Sequence, residues 1–238
     1  MKGSLYLIPS PVSDGEINEV IPEGVICKIL PLRVFVVEEV RSARRFLSKC
    51  GFKGKIDELL FLELNEHTAV SLIDSYINLL VEGKDVGLIS EAGLPAVADP
   101  GALLVAAAHR EGIRVIPLVG PSSLMLALMA SGMNGQSFAF VGYLPVKPEE
   151  RRSEIKRLEK LSDRTGQSQI IIETPYRNNA LFSDLVQVCS PSKLICVASA
   201  ITSQEESIRT LTAFDWGNEK EKEKEKVDLN RKPCVFII

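Results

Sequence analysis

Residues 86–101 read "VGLISEAGLPAVADPG": an apolar, β-prone run passes straight into Glu91, Ala92 and Gly93 and ends at Asp99, Pro100 and Gly101. Such a short apolar run emptying into a small-residue loop reads as a buried strand. Working outward, "SLYLIPS", "RVFVVEE" and "IRVIPLV" read as further strands, with helical patterns between several of them. "VRSARRFLSKC" stops at Gly51, and "NEHTAVSLIDSYINLLVEG" carries apolar residues at helical spacing up to Gly83. Pro100 and Gly101 open "GALLVAAAHREG", and "GPSSLMLALMASG" is a helix capped by Ser122 or Ser123. Strands alternating with helices imply parallel strands joined by crossovers.

After "MNGQ" the rhythm changes. "SFAFVGYLP", "QSQIIIETPYR", "KLICVASAI", "IRTLTAF" and "KPCVFII" read as strands, with "KPEERRSEIKRLEKLSD" and "NNALFSDLVQVCS" as the helices among them. Consecutive short strands imply antiparallel pairs, so this sheet is expected to be mixed. The expected organisation is two α/β domains, residues 1–117 with a mainly parallel sheet and 118–238 with a mixed one. The tract "EKEKEKEK", residues 219–226, places like charges at i,i+4 and reads as a solvated hairpin tip.

The 238 residues, 45% hydrophobic and 25% charged, suit one large core or two modest ones. A net charge of −3 and a pI near 5.6 exclude a global basic field, though one basic face remains open. No stretch approaches the roughly 18 apolar residues of a membrane span. "MKGSLYLIPSP" lacks a signal peptide's apolar core, so a cytoplasmic chain with no membrane is expected. Cys27, Cys50, Cys189, Cys196 and Cys234 form no CxxC pair and read as core thiols, with no metal site expected. His67 and His109 read as helix residues, and Met125, Met129 and Met133 as a core stripe.

In open parallel sheets ligands bind beyond the carboxyl ends of the strands. Five strand ends here, "IPSPV", "SEAGLP", "VGPSS", "GYLPVK" and "ETPYR", carry Gly, Pro or small residues that turn backbone groups outward. Gly and Pro also simply punctuate strand ends. Five such loops together suit a polar cofactor held through main chain. Neither GxGxxG after the first strand nor GxxxxGK[ST] is present, so dinucleotide and P-loop sites have no support.

Taken in order, "LYLIPSPV", "VGLISEAGLPAVADPG", "GIRVIPLVGPSSLMLALMASG", "FAFVGYLPVKPEERRSEIKRL" and "IIETPYRNNALFSDL" resemble the tetrapyrrole methylase superfamily, and within it the branch that methylates a cytidine ribose of small-subunit ribosomal RNA. The resemblance implies two α/β domains, a homodimer, and S-adenosylmethionine in a cleft between the domains. Glu91, Ala92, Gly93 and Pro95 stand where the family has a Ser-Asp-Ala-Gly-Thr-Pro loop beside the cofactor. Asp99 lies in its Ser-Asp-Pro-Gly turn, Gly120, Pro121 and Ser122 match its Gly-Pro-Ser turn, and Tyr143, Leu144 and Pro145 its Phe-Leu-Pro loop. Pro9, after the first strand, joins this set. The chain departs from the branch at "SPVSDGE", "ELNEHT" and "ASAITSQEE", where the branch carries Thr-Pro-Ile-Gly-Asn-Leu, a His-rich stretch and a basic segment.

Methyl transfer from a sulfonium is an in-line displacement in which the protein aligns and desolvates the partners. Glu91 is the candidate base for a ribose hydroxyl, and capping of nearby N–H groups is its structural alternative. Glu173 is a candidate loop acceptor. Lys147, Arg151, Arg152 and Arg177 are candidate contacts to ribosomal RNA or the small ribosomal subunit, with a solvated helix face as the alternative. Arg41, Arg44 and Arg45 form a second basic group offset by Glu38 and Glu39. A tetrapyrrole or other small-molecule substrate, and a protein that binds the cofactor without turnover, also remain open.

Overall fold

The opening stretch forms the strand β4 (Val86–Ile89) in the interior of a five-stranded sheet with β1 (Ser4–Ile8), β2 (Val34–Val37), β3 (Leu60–Glu63) and β5 (Arg114–Pro117). The order is β3-β2-β4-β1-β5 and every neighbouring pair is parallel. The computed structural model describes residues 1–69, 71–222 and 228–238, and the chain divides into two compact units, Met1–Ser122 and Ser123–Ile238.

Side chains alternate strictly between the two faces of the first sheet. Phe35, Val37, Ile8 and Ile89 pack on one face with residues of the helices α1 (Ile17–Val20), α2 (Glu23–Ile29) and α3 (Val40–Leu47). Val34, Val36, Leu5, Val86 and Leu88 pack on the other with α4 (Ser71–Val81) and α5 (Gly101–Arg110). Gly87 keeps the centre flat: a Cβ there would stand 2.6 Å from Ile8 Cδ1 and 2.8 Å from Phe35 Cδ1. Each fully buried aliphatic side chain contributes about 1.5–3 kcal/mol, which is why both faces of β2 and β4 read as unbroken apolar runs.

The second unit contains β6 (Phe138–Tyr143), β7 (Ser168–Glu173), β8 (Leu194–Ser199), β9 (Ser207–Thr212) and β10 (Cys234–Ile237) in the order β6-β7-β10-β8-β9. Only β6 and β7 are parallel and the other pairs are antiparallel, so the sheet is mixed as expected. The helix α6 (Ser123–Ser131) covers one face through Leu124, Ala127 and Leu128. The helices α7 (Pro148–Thr165), α8 (Asn178–Val188) and α9 (Ala213–Lys222) cover the other through Ile155, Leu158, Leu181, Phe182, Leu185 and Trp216. Pro148 opens α7 and Gly166, at φ 68°, closes it.

Five sequence expectations need correction. His67, expected on a helix, lies in a turn ahead of α4. β3 is a strand that the sequence reading lacks. α9 occupies the stretch expected to run directly from strand into charged hairpin tip; residues 219–222 belong to it, while 223–226 lie outside the described residues. Met125 and Met129 are exposed on α6 rather than in the core, and of the stripe only Met133 packs against buried residues. Cys27 is exposed, unlike the four buried cysteines.

Candidate active site

The connection leaving β1 crosses to the face covered by α1 and α2, and the one leaving β4 crosses to the face covered by α5. Neighbouring strands whose connections depart to opposite faces open a crevice at their carboxyl ends. In that crevice Ser10 and Gly93 form an isolated antiparallel bridge, Ser10 N–H donating to Gly93 O at 2.9 Å and Gly93 N–H to Ser10 O at 3.1 Å. Ser10 Oγ adds a buried bond to Ser90 O at 3.1 Å. The loops after β1 and β4 are thereby tied together by a backbone bridge and one serine hydroxyl.

The loop after β4 is held in unusual backbone. Gly93 sits at φ 74°, and Ala96 and Ala98, which carry a Cβ, sit at 65° and 57°. Each non-glycine residue there costs on the order of 1–2 kcal/mol, and such strain gathers where function fixes a conformation. Asp99 enforces the turn: its Oδ1 accepts from Ala96 N–H at 3.2 Å and Gly101 N–H at 2.5 Å. Burial pushes the Asp99 carboxyl above its ordinary range, against the pull of those bonds and of Ser90. Glu91 is exposed at the lip, and its N–H donates to Glu38 Oε2 at 3.1 Å. Burial, with the Asp99, Glu91 and Glu66 carboxylates nearby, raises the Glu38 pKa despite that bond. Acidic groups from the ends of β3 and β4 therefore gather around Glu38, at the end of β2.

Gly120 has a packing reason of its own. A Cβ there would lie 2.2 Å from Pro9 Cβ, so the "VGPSS" loop is glycine because the Pro9 ring fills that space. A Cβ on Gly93 would meet Val12 Cγ1 at 3.4 Å and Pro121 O at 3.7 Å, which places Pro9, Val12, Gly93 and Pro121 around one spot. This glycine-lined, backbone-rich edge fits a cofactor recognised through main-chain groups, with Gly93, Ala92 and Pro95 as the residues that would hold it.

At the carboxyl edge of the second sheet, β6 and β7 end side by side, with Tyr143 opposite Ile172. Tyr143 is exposed, Leu144 buried and Pro145 half-buried. Lys147 is exposed and pairs with Glu150 at 3.0 Å. Arg151 lies in the interior: its Nε donates to Asp184 Oδ2 at 2.7 Å, and its side chain is 6% exposed. Arg152 reaches the same carboxylate, at Oδ1, at 2.7 Å with half its side chain in solvent. A phosphate contact by Arg151 would require that pair to open, whereas Arg152 and Lys147 present charge to solvent as they stand. Arg177 is held by the fully buried Glu173 carboxylate, its Nε at 3.0 Å from Oε1, and its guanidinium lies 5.9 Å from the centre of the Tyr176 ring. Glu173 Oε1 also accepts from Thr174 N–H at 2.7 Å, while Oε2 is buried with no hydrogen-bond partner among the described residues. Arg44, of the second basic group, pairs with Asp57.

The first unit thus brings Pro9, Glu91, Ala92, Gly93, Pro95, Asp99, Gly120, Pro121 and Ser122 to one edge of one sheet, and the second brings Tyr143, Leu144, Pro145, Lys147 and Arg177 to the parallel strand ends of another. Sequence reasoning missed Ser10, Ser90, Glu38 and Tyr176. Glu38 is 53 residues from the N–H it accepts, a partnership no local pattern carries. Tyr176 had a signal, an aromatic residue inside the "ETPYR" loop.

No protein-family model matches the chain. It is 30% identical over 206 residues to the ribosomal RNA small subunit methyltransferase I of Xylella fastidiosa, a match spanning 87% of this chain and 71% of the relative. The protein of that name from Halalkalibacterium halodurans is 30% identical over 220 residues, 92% of this chain and 72% of the relative. Among solved structures, the methyltransferase CobJ superposes with a TM-score of 0.64 over 99% of this chain and 93% of the other at 17% identity, a likeness of fold. With both units covered, the chain belongs to the ribosomal RNA small subunit methyltransferase I family.

Proposed function

We propose that the protein is an S-adenosylmethionine-dependent methyltransferase acting on a cytidine ribose 2'-hydroxyl of small-subunit ribosomal RNA, as a homodimer in the cytoplasm. The observation that carries this reading is the 30% identity to relatives named for ribosomal RNA methylation over about nine-tenths of the chain. The strained, glycine-shaped loop at the crevice of the first sheet supports it, because a cofactor bound through backbone needs such a loop. S-adenosylmethionine, when bound, supplies an electrophilic methyl group.

The chain's own residues supply the rest. Gly93 and its neighbours Ala92 and Pro95 hold the cofactor, with Pro9 and the Gly120, Pro121 and Ser122 turn closing the same edge and Asp99 fixing the loop. Tyr143, Leu144 and Pro145 are further cofactor contacts on the strength of the family resemblance. The Glu91 carboxylate takes the 2'-hydroxyl proton, and Glu38 fixes the Glu91 backbone through the bond to its N–H. Lys147 and Arg152 offer exposed charge to RNA phosphates. Met125 and Met129, apolar and exposed on α6, suit contact with a second copy. Among the described residues no helix is long and apolar enough to cross a membrane.

Transfer of labelled methyl from S-adenosylmethionine into small-subunit ribosomal RNA, followed by nuclease digestion and mass spectrometry, tests the reading. The expected product is 2'-O-methylcytidine. Glu91→Gln should lower kcat by roughly 10²–10⁴-fold while S-adenosylhomocysteine affinity stays unchanged. Cofactor binding without transfer to any RNA would instead indicate a sensor that does not turn over, and transfer to a tetrapyrrole would replace the substrate.

A further inference from the structure

The carboxyl edge of the second sheet holds an arrangement that electrostatic contact with RNA does not use. Tyr176, in the loop between β7 and α8, is 74% exposed, unusual for a large aromatic side chain that no interior requires. Its ring is nevertheless not loose. The Arg177 guanidinium stands 5.9 Å from the ring centre, within cation–π range, and is itself fixed by Glu173, whose side chain is fully buried. Arg177 N–H donates to Thr174 O at 2.9 Å, and its Nε reaches Thr174 Oγ1 at 3.2 Å, so the turn carrying the tyrosine is closed on both sides. The Glu173 carboxylate compensates the Arg177 charge, which leaves that guanidinium better suited to steadying the ring than to neutralising a phosphate. On the neighbouring parallel strand Tyr143 is 56% exposed, and beyond it Val146 is 66% exposed.

We propose that Tyr176, steadied by Arg177 and Glu173, is a stacking platform for an unpaired nucleobase of the RNA substrate, with Arg177 as its positioning residue. The proposal rests on the RNA methyltransferase reading above and deepens it: the bound segment must be single-stranded at this point, because a base within a duplex has no free face to offer. An aromatic ring accepts any base, so the contact adds affinity and registers the strand without reading sequence. Lys147, 79% exposed and following the strand next to β7, supplies the charge such platforms are paired with.

The test uses the full chain, a single-stranded RNA oligonucleotide carrying 5-iodouridine, the duplex form of the same sequence, and small-subunit ribosomal RNA as methylation substrate. Tyr176→Leu should weaken single-strand binding between about 5- and 150-fold, leave the salt dependence of binding at the wild-type slope, and leave duplex and S-adenosylhomocysteine affinities unchanged. Tyr176→Phe should bind within about twofold of wild type, because the face and not the hydroxyl makes the contact. Photo-crosslinking should place the modified base on Tyr176. Arg177→Ala should fall between the two tyrosine variants, again without a change of slope. If the wild-type chain methylates ribosomal RNA but Tyr176→Leu binds the single strand as tightly, the platform is wrong and the function stands. Equal losses in Tyr176→Phe and Tyr176→Leu, or a loss of cofactor rather than RNA affinity, overturn the platform as well. A wild-type chain that neither binds nor methylates any RNA overturns both.

Discussion

Removing the Asp184 carboxylate should unfold the second unit far more readily than removing any exposed charge. Asp184 is 4% exposed and accepts from Arg151 through Oδ2 and from Arg152 through Oδ1. In Asp184→Ala the Arg151 guanidinium, itself 6% exposed, keeps one protein acceptor, the Val146 carbonyl at 3.3 Å. A buried charge stripped of its partner costs about 3–5 kcal/mol, whereas the half-exposed Arg152 contact accounts for no more than about 1 kcal/mol. At roughly 4 °C per kcal/mol the transition should fall by on the order of 10–20 °C. Trp216, the chain's single tryptophan, is 2% exposed on α9 and packs edge-on at 5.2 Å against Phe182 of α8, the helix that also carries Asp184. Its fluorescence therefore follows this unit's unfolding even where the other unit melts separately. Arg151→Met combined with Asp184→Leu replaces the pair by apolar groups of similar size and should recover most of the loss. A destabilisation under about 1 kcal/mol in Asp184→Ala would refute the buried-pair reasoning and return Arg151 to the surface contacts.

Gly120→Ala should destabilise the first unit by about 1–3 kcal/mol, since the new methyl lands 2.2 Å from Pro9. It should also weaken S-adenosylhomocysteine binding, read by calorimetry; full retention of both would mean the two loops shift apart freely. The raised pKa of Glu38 means that its contribution to stability is complete below its ordinary value of 4.5 and is lost as pH rises through the folded value, with Asp99, Glu91 and Glu66 as the facing charges. Glu38→Gln keeps an acceptor for the Glu91 N–H and should therefore raise the melting temperature at pH 7 but not at pH 4, while leaving methyl transfer close to the wild-type rate. A variant less stable at pH 7 than wild type would contradict this sign.

The parallel first sheet is legible because Val34–Val37 and Val86–Ile89 are apolar on both faces, a pattern that interior strands of a covered sheet impose. β3 escapes because it is an edge strand: Leu60 is exposed and Phe61 and Leu62 are half-buried, so its four residues carry no clean period. α9 escapes because its charged end masks the two buried residues, Ala213 and Trp216, that dock it on the core. The cofactor loops are legible through Gly, Pro and family order. What they pack against is not, since Gly120 answers to Pro9 across the sheet and Glu91 to Glu38. Arg151 and Arg152 are adjacent and chemically alike, and only the helix phase decides that the first turns inward and the second out. Met125 and Met129 follow the spacing of a core stripe, yet α6 turns Leu124, Ala127 and Leu128 inward instead.

The position of β10 has a consequence for how the second unit is made. This strand, last of the ten in sequence, lies between β7 and β8 and bonds to both, Cys234 facing Glu173 on one side and Ser199 on the other. Until residues 234–237 leave the ribosome, β6 with β7 and β8 with β9 are two separate ribbons, each with an open inner edge. Pairings this distant along the chain form slowly, and open apolar edges recruit other chains. The first unit has all its strands from residue 117 onward and needs no such wait. During synthesis, then, a finished parallel domain trails a half-built partner, and the nascent second unit is the stage at which this protein would most need shielding by a chaperone.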